Sequence, residues 1–226
     1  PDGRVAVAGS VIGALDDGKS GDAAGVADSF VTVFDATGQE QWTQRRGARA
    51  ADEATAVSFG ADGVVYVAGR SKSAMSGASA VGGWDGYVQA YSSRQANALA
   101  PFTATNIATR QFGSTGDDSV QAITVSGSDL YTAGIENGRA VVRRFTLDEA
   151  GRPTLAATRD LGQMRGEIAG LAVENGRLIV AGATTNPALD AGTITTAASG
   201  GLDAFVASLS ADLQASGTDR LTYYGG

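Results

Sequence analysis

Cysteine and histidine are both absent from the 226 residues, and lysine occurs only as Lys19 and Lys72. Without them the chain has no disulfide, no thiol nucleophile, no imidazole base and none of the commonest transition-metal ligands. Lack of cysteine suits the cytoplasm and bacterial export equally, so it does not settle the compartment. Proline is scarce at 4 residues. No apolar run approaches the roughly 20 residues that a membrane-spanning helix needs. No basic stripe exists either, and the formal charge is −7. An acidic chain without clustered cations releases no counterions from a polyphosphate, so nucleic acid is not an expected partner. What is present in excess is glycine, 32 residues without a collagen period, beside 43 % hydrophobic residues. That pairing points to a packed core joined by many tight turns.

An internal repeat organises the chain. An apolar run ending in Ala-Gly recurs as Val5-Ala6-Val7-Ala8-Gly9, Val65-Tyr66-Val67-Ala68-Gly69, Leu130-Tyr131-Thr132-Ala133-Gly134 and Leu178-Ile179-Val180-Ala181-Gly182. Each run follows a turn: Asp2-Gly3, Asp62-Gly63, Gly127-Ser128 or Asn175-Gly176. Asp-Gly and Asn-Gly between apolar runs favour the type I′ hairpin, which needs positive φ at both central residues. In three copies another strand precedes the turn, at 54–59, 119–125 and 168–173. A third strand begins at Asp28-Ser29-Phe30-Val31, Asp85-Gly86-Tyr87-Val88 and Asp203-Ala204-Phe205-Val206. In the third copy Arg139 stands where that Asp is expected. A fourth strand closes each unit on glycine, at 41–47, 108–113, 155–162 and 221–226. Four short antiparallel strands per unit make one blade of a β-propeller, so the expectation is an all-β chain of about fifteen strands. Its blades are placed at 1–48, 49–115, 116–162 and 163–226, and the first is expected to lack its innermost strand. Repeats in this phase are expected to belong to a longer chain.

Gly200-Gly201-Leu202-Asp203-Ala204-Phe205-Val206, followed by Leu221-Thr222-Tyr223-Tyr224-Gly225-Gly226, resembles the bacterial SBBP-type β-propeller repeat. The resemblance covers nearly the whole chain and departs most in the third copy, which lacks the Asp and the Gly-Gly. It implies a propeller within a large secreted or surface-associated bacterial protein, and implies no reaction.

Several residues are candidates for chemistry. The repeated Asp28, Asp85 and Asp203 could form a ring of carboxylates, but Asp before a strand commonly accepts a bond from the local backbone and fixes the turn. They are therefore expected to be structural, together with Gly9, Gly69, Gly134 and Gly182. Asp16, Asp17 and Asp22 share a Gly-rich loop that could offer calcium oxygen ligands. Their spacing departs from Asp-x-Asp-x-Asp-Gly, so a solvated acidic loop is expected and no metal is assigned. Trp42 is expected between blades. Trp84, in a loop before the third strand, and Tyr87 just after it are the candidate binding residues. Arg143-Arg144 and Arg45-Arg46 fall on opposite strand faces by alternation, so neither pair makes one cationic patch, and solvated strand edges are expected.

The connections between second and third strands are long at 10–27, 70–84 and 183–202 but short at 135–138. They should share one face, leaving a notch beside the third blade on the expected binding face. The insertion 92–107 is expected as a loop on the opposite face. With no sialidase-type Ser-x-Asp-x-Gly-x-x-Trp box and no separate carboxylate pair, the expected function is a non-catalytic display or binding platform without a cofactor. Its partner is expected to be a protein or a glycan. A carboxylate-based hydrolase and a calcium-stabilised adhesin-like module are the alternatives.

Overall fold

The computed structural model describes residues 3–13, 26–46, 49–60, 63–97 and 99–226. The described residues form sixteen strands in four sheets and contain no helix. The first sheet holds β1 (Val5–Ile12), β2 (Ala27–Phe34) and β3 (Glu40–Arg46). The second runs β4 (Asp52–Phe59), β5 (Val65–Ser71), β6 (Asp85–Gln95) and β7 (Phe102–Phe112). The third repeats that order with β8 (Asp118–Ser126), β9 (Asp129–Glu136), β10 (Arg139–Leu147) and β11 (Pro153–Gln163). The fourth holds β12 (Gly166–Glu174), β13 (Arg177–Thr184), β14 (Thr193–Thr196), β15 (Asp203–Ser210) and β16 (Arg220–Tyr224), with β14 on the outer edge. Every pairing is antiparallel except that of β14 with β16. The first sheet therefore has three described strands where the other sheets have at least four.

Local chemistry explains the hairpins. Asn175-Gly176 and Asn137-Gly138 both take positive φ, at 50° and 72° and at 44° and 73°. Asparagine and glycine tolerate that region, and the resulting turn matches the right-handed strand twist. The first strands β4, β8 and β12 each carry one extra residue, at Thr55, Gln121 and Ala169, opposite the Ala-Gly of the next strand. These bulges bend the strand where it meets its neighbour in the following sheet. Thr55 Oγ1 donates to the Val120 carbonyl at 2.6 Å, and the Ile168 N–H donates to Gln121 Oε1 at 2.8 Å. The bulged residues thus link β4 to β8 and β8 to β12.

Strand alternation sends side chains toward the preceding sheet and the following sheet in turn. Val65 and Val67 of β5 face back to Val31, Val33 and Trp42, whereas Tyr66 and Ala68 face forward to Leu130 and Phe145. A third core joins Tyr131, Val142 and Leu161 to Leu178, Val180, Phe205 and Tyr223. Each sheet thus packs on the next in chain order, as blades do. Burying a Val, Leu or Phe side chain contributes about 1.5–3 kcal/mol, so these three interfaces dominate the stability. Trp42 lies between blades as expected, its ring centroid 6.2 Å from that of Tyr91.

Two expectations need correction. The stretch 92–107 is not a loop: β6 continues to Gln95 and β7 starts at Phe102, making one long hairpin with a bulge at Ala90/Tyr91. Its polar residues satisfy their backbone groups by pairing with each other. The 183–202 connection likewise contains β14, whose Thr-Ile-Thr-Thr adds to the outer edge of β16 and covers its free backbone groups.

Candidate functional site

An open cleft of about 390 Å³ lies between the end of β11 and the chain leaving β13, lined by Gln163, Arg165, Thr185, Asn186, Pro187 and Asp190, among others. The connection after β13 is held by Thr185 N–H to the Arg165 carbonyl (3.1 Å), Asn186 Nδ2 to the Gln163 carbonyl (2.8 Å) and Asp190 N–H to the Leu161 carbonyl (2.8 Å). The short β9–β10 turn is tied to β8, with Asn137 donating its N–H to Asp118 Oδ1 at 2.9 Å, and it does not line the cleft. Arg165 and Asp190 are exposed and supply its charges. The lining offers one carboxylate, one cation, amide groups and a proline ring, which suits hydrogen bonding and stacking of a polar ligand.

Trp84 sits on the same face, one blade junction away. Its N–H donates to Asp117 Oδ1 (3.0 Å), and its carbonyl accepts from the Asp118 N–H (2.7 Å), so the loop before β6 is stitched to the start of β8. The half-buried indole lies under two cations, with the Arg70 guanidinium 4.3 Å and the Lys72 ammonium 5.7 Å from the ring centroid. Glu53 pairs with Arg70 at 2.7 Å, so one of those cations is already neutralised. Stacking of this kind contributes about 0.5–1 kcal/mol at exposed sites.

Tyr87 is not beside Trp84 at the surface. It is 0 % exposed, inside the core between the first and second sheets, and burial drives its phenol pKa well above the usual value. Alternation explains this: the third residue of β6 points to the sheet face rather than to the loop end. Tyr87 has no surface from which to touch a ligand.

The repeated carboxylates are bound up in local structure. Asp85 accepts the N–H groups of Val81 (2.9 Å) and Gly82 (3.0 Å) and Gln111 Nε2 (3.0 Å). Asp203 uses the same offsets, accepting from the Ser199 (3.1 Å) and Gly200 (3.2 Å) N–H groups. Asp28 is buried against Arg45 at 2.8 Å, and the residues at its equivalent offsets lie outside the described ones. Where the third copy has Arg139, the guanidinium instead pairs with Asp160. Gly69, Gly134 and Gly182 serve a different need: a Cβ on any of them would collide with a carbonyl of the bulged first strand, from Glu53, Ser119 and Glu167 respectively.

Ion pairs across strands are the polar feature that sequence reasoning missed. Arg143 pairs with Glu136 and stacks 4.4 Å from the Phe112 centroid; burial pushes its pKa down to about 10, so it stays cationic at neutral pH. Arg144 pairs with Asp129 at 3.0 Å. Neither arginine is a solvated strand edge, and nor is Arg45, held by Asp28. The densest node is Asp219. It is fully buried and accepts from Arg159 Nη1 (2.7 Å), Arg177 Nη2 (3.0 Å) and the N–H groups of Ser210 (2.9 Å) and Ser216 (3.0 Å). Burial alone would raise its carboxyl pKa, but Arg159 and the backbone donors outweigh burial and hold it below the ordinary value. Alternating arginine and acid along paired strands was the available signal, but it required the register.

Among the described residues no three acidic groups converge as a metal would require. Asp16, Asp17 and Asp22 lie outside the described residues. A smaller depression on the opposite face, about 200 Å³, is lined in part by Asp148 and Glu149. There Asp148 is committed to its own turn, with the Arg152 and Ala150 N–H groups lowering its pKa.

No protein-family model matches the chain. Among curated proteins it is similar to the regulatory protein FlaEY of Caulobacter vibrioides, with 42 % identity over 262 aligned residues. That alignment takes in 100 % of this chain and 27 % of the relative, so the chain spans about a quarter of the relative's length. Among solved structures it resembles Trypanosoma rangeli sialidase bound to sialic acid, at a TM-score of 0.51 and 11 % identity over 98 % of this chain and 36 % of the sialidase. A second structure of that sialidase gives 0.50, with 11 % identity over 96 % and 36 %. At such identity the likeness is one of fold alone, and the fold is that of a β-propeller, six-bladed in the sialidase.

Proposed function

We propose that this chain is a non-catalytic interaction module of a longer bacterial protein, built on SBBP-type propeller repeats and exposed to the outside as part of a secreted or cell-surface molecule. Its ligand-contacting surface is the loop face, from Trp84 under its two cations to the cleft at Arg165, Asn186 and Asp190. The partner is a protein or a glycan, since the cleft offers amides, a single ion of each sign and an accessible aromatic nearby. The observation that carries the reading is the carboxylate inventory. The cleft lining contains one acid, Asp190, while Asp85 and Asp203 are spent on backbone N–H groups and Asp28 on Arg45. Glycoside hydrolysis needs two carboxyls about 5–10 Å apart across a bond, and among the described residues this cleft is lined by no second one. The name of the FlaEY relative, a regulatory protein, also accords with a binding role.

A printed glycan array, paired with affinity capture from the parent bacterium's surface fraction, tests the reading. Trp84→Ala and Arg165→Ala should each weaken the captured ligand about tenfold or more, equivalent to about 1.4 kcal/mol, with melting unchanged in Arg165→Ala and lowered in Trp84→Ala only by the lost cation stacking, about 0.5–1 kcal/mol. Turnover of chromogenic glycosides that disappears in Asp190→Asn would overturn the reading in favour of an enzyme.

A further inference from the structure

One tetrapeptide, Glu-Asn-Gly-Arg, occurs twice in the chain, at 136–139 and at 174–177. Both copies are two-residue hairpin turns, β9–β10 and β12–β13, with Asn and Gly at positive φ and Glu paired to Arg across the turn. Both asparagines are exposed. What holds the two turns differs. At the first, the Asn137 N–H donates to Asp118 Oδ1 (2.9 Å) and the Gly138 carbonyl accepts from the Met164 N–H (2.7 Å). A Cβ on Gly116 would stand 2.9 Å from Asn137 Oδ1, so the side-chain amide is packed as well. The flanking residues are fixed by the Glu136–Arg143 and Arg139–Asp160 ion pairs. At the second turn, among the described residues, neither Asn175 nor Gly176 makes a hydrogen bond outside its own hairpin. A Cβ on Gly176 would meet nothing within 4 Å. The one hold there is Arg177, which reaches Asp219 from the far side of the turn.

We infer that Asn175 is a site of spontaneous covalent modification, deamidating through a cyclic imide, and that Asn137 is protected although its local sequence is the same. The Gly176 amide nitrogen attacks the carboxamide carbon of Asn175. A C–N bond forms, the bond to the side-chain nitrogen breaks, and that nitrogen leaves as ammonia with the proton lost by Gly176. Water then opens the five-membered imide at either carbonyl, giving aspartate or an isoaspartate whose main chain runs through the side-chain carbon. Glycine after the asparagine brings no Cβ to block the attack. The nitrogen reaches that carbon only when the turn opens, so the rate follows the population of the open turn. Opening the β9–β10 turn breaks the bonds to Asp118 and Met164, whereas opening the β12–β13 turn breaks none beyond its own hairpin. Two such bonds should lower the open population about tenfold or more. The product adds a negative charge beside Glu174, and isoaspartate lengthens the main chain of a loop whose two-residue length sets the register of β12 on β13. The inference is independent of the loop-face reading, since the β12–β13 turn lies at the opposite end of the strands from the cleft.

The test is to age the purified chain in warm, mildly alkaline buffer and to follow both sites by peptide mapping, with aspartate and isoaspartate products resolved by chromatography and mass spectrometry. Trypsin releases the two asparagines in separate peptides, 111–139 and 166–177. In the folded chain Asn175 should convert about tenfold faster than Asn137, or more. In the same chain unfolded in urea the two should convert at closely similar rates, because both stand in Glu-Asn-Gly-Arg. Equal rates in the folded chain, or faster conversion at Asn137, would overturn the inference. So would a folded chain in which Asn175 stays intact while the unfolded chain converts. A preference for Asn175 that persists undiminished in urea would overturn it too, since the preference would then belong to the wider sequence and not to the fold.

Discussion

The strands β1 and β5 are the same segment of two repeats, yet their surroundings differ. Val65 and Val67 are 0 % and 2 % exposed, whereas Val5 and Val7, at the same positions, are 54 % and 45 % exposed. The forward-facing residues differ less: Ala6 and Ala8 are half-buried against the interface with the second sheet, where Tyr66 and Ala68 are fully buried in the interface with the third. Hydrophobic character at a repeat position therefore does not by itself bury a residue. Burial comes from the neighbouring blade, as expected where each repeat packs chiefly on the next. The junctions differ as well. The one between the first two sheets is closed by aromatics, Trp42, Tyr87 and Tyr91, and the one between the last two is bridged by Arg159 and Asp219.

The largest effect should come from breaking that bridge. Asp219→Ala leaves Arg159 and Arg177 facing a buried gap and two N–H groups without their acceptor. Loss of one member of a buried, hydrogen-bonded ion network costs about 3–5 kcal/mol. Denaturant unfolding should show that loss, and a second, earlier transition would place it at the junction of sheets three and four. The same group makes this junction acid-sensitive. Its folded pKa is depressed, so its stabilisation is present above the unfolded value near 3.9 and fades as pH falls below about 4 toward the folded value. A melt that weakens less between pH 5 and pH 3 in Asp219→Asn than in the wild type supports the assignment. An identical acid response would remove it.

Next in size is the glycine pair. Gly69→Ala drives a Cβ into the Glu53 carbonyl, which cannot move without shifting β4, so a cost of about 1–3 kcal/mol is expected. Gly9→Ala meets only the edge of a partly exposed ring and should change stability by no more than about 0.5 kcal/mol. Equal costs would mean that β1 already carries a backbone over Gly9 in solution.

Much of this fold was legible because its signals are local. Asn175-Gly176 announces a hairpin by the positive φ it tolerates, and Asp85 and Asp203 announce turns through the donors three and four residues before them. The three-stranded first sheet could be read from the repeat phase. Strand β14 could not be foreseen, since Thr193-Ile194-Thr195-Thr196 lacks the alternation of a half-buried strand and forms only against the edge of β16. The bulges at Thr55, Gln121 and Ala169 were equally hidden, because nothing in one strand reveals that its partner has one residue fewer. At the candidate site, loop lengths pointed to the face but not to the cleft, which the short 135–138 connection does not line. Which side chains line it depends on how 185–190 folds back on Leu161 and Gln163, a long-range event. Tyr87, three residues beyond Trp84, is turned into the core by strand alternation.

The smallest effect is the most direct test of the opening comparison, and it uses Val67→Ala and Val7→Ala. Both substitutions remove the same two methyl groups from the same place in the repeat. Strand propensity, worth up to about 1 kcal/mol, itself depends on whether a strand is at an edge like β1 or paired on both sides like β5, so the difference between the variants reports their environments as a whole. Val67 is packed against the first sheet, and at about 0.8 kcal/mol per buried methylene plus a cavity, its truncation should cost about 2 kcal/mol. Val7 is about half exposed and leaves no cavity, so its truncation should cost about 0.5 kcal/mol beyond propensity at most. Chemical denaturation of the two variants in parallel should therefore separate them by more than about 1 kcal/mol. A gap near zero at low protein concentration would mean that the face bearing Val7 is covered within the chain. A gap that closes only as concentration rises would mean that a second molecule covers it. Either result would show that β1 and β5 differ less in solution than their exposures indicate.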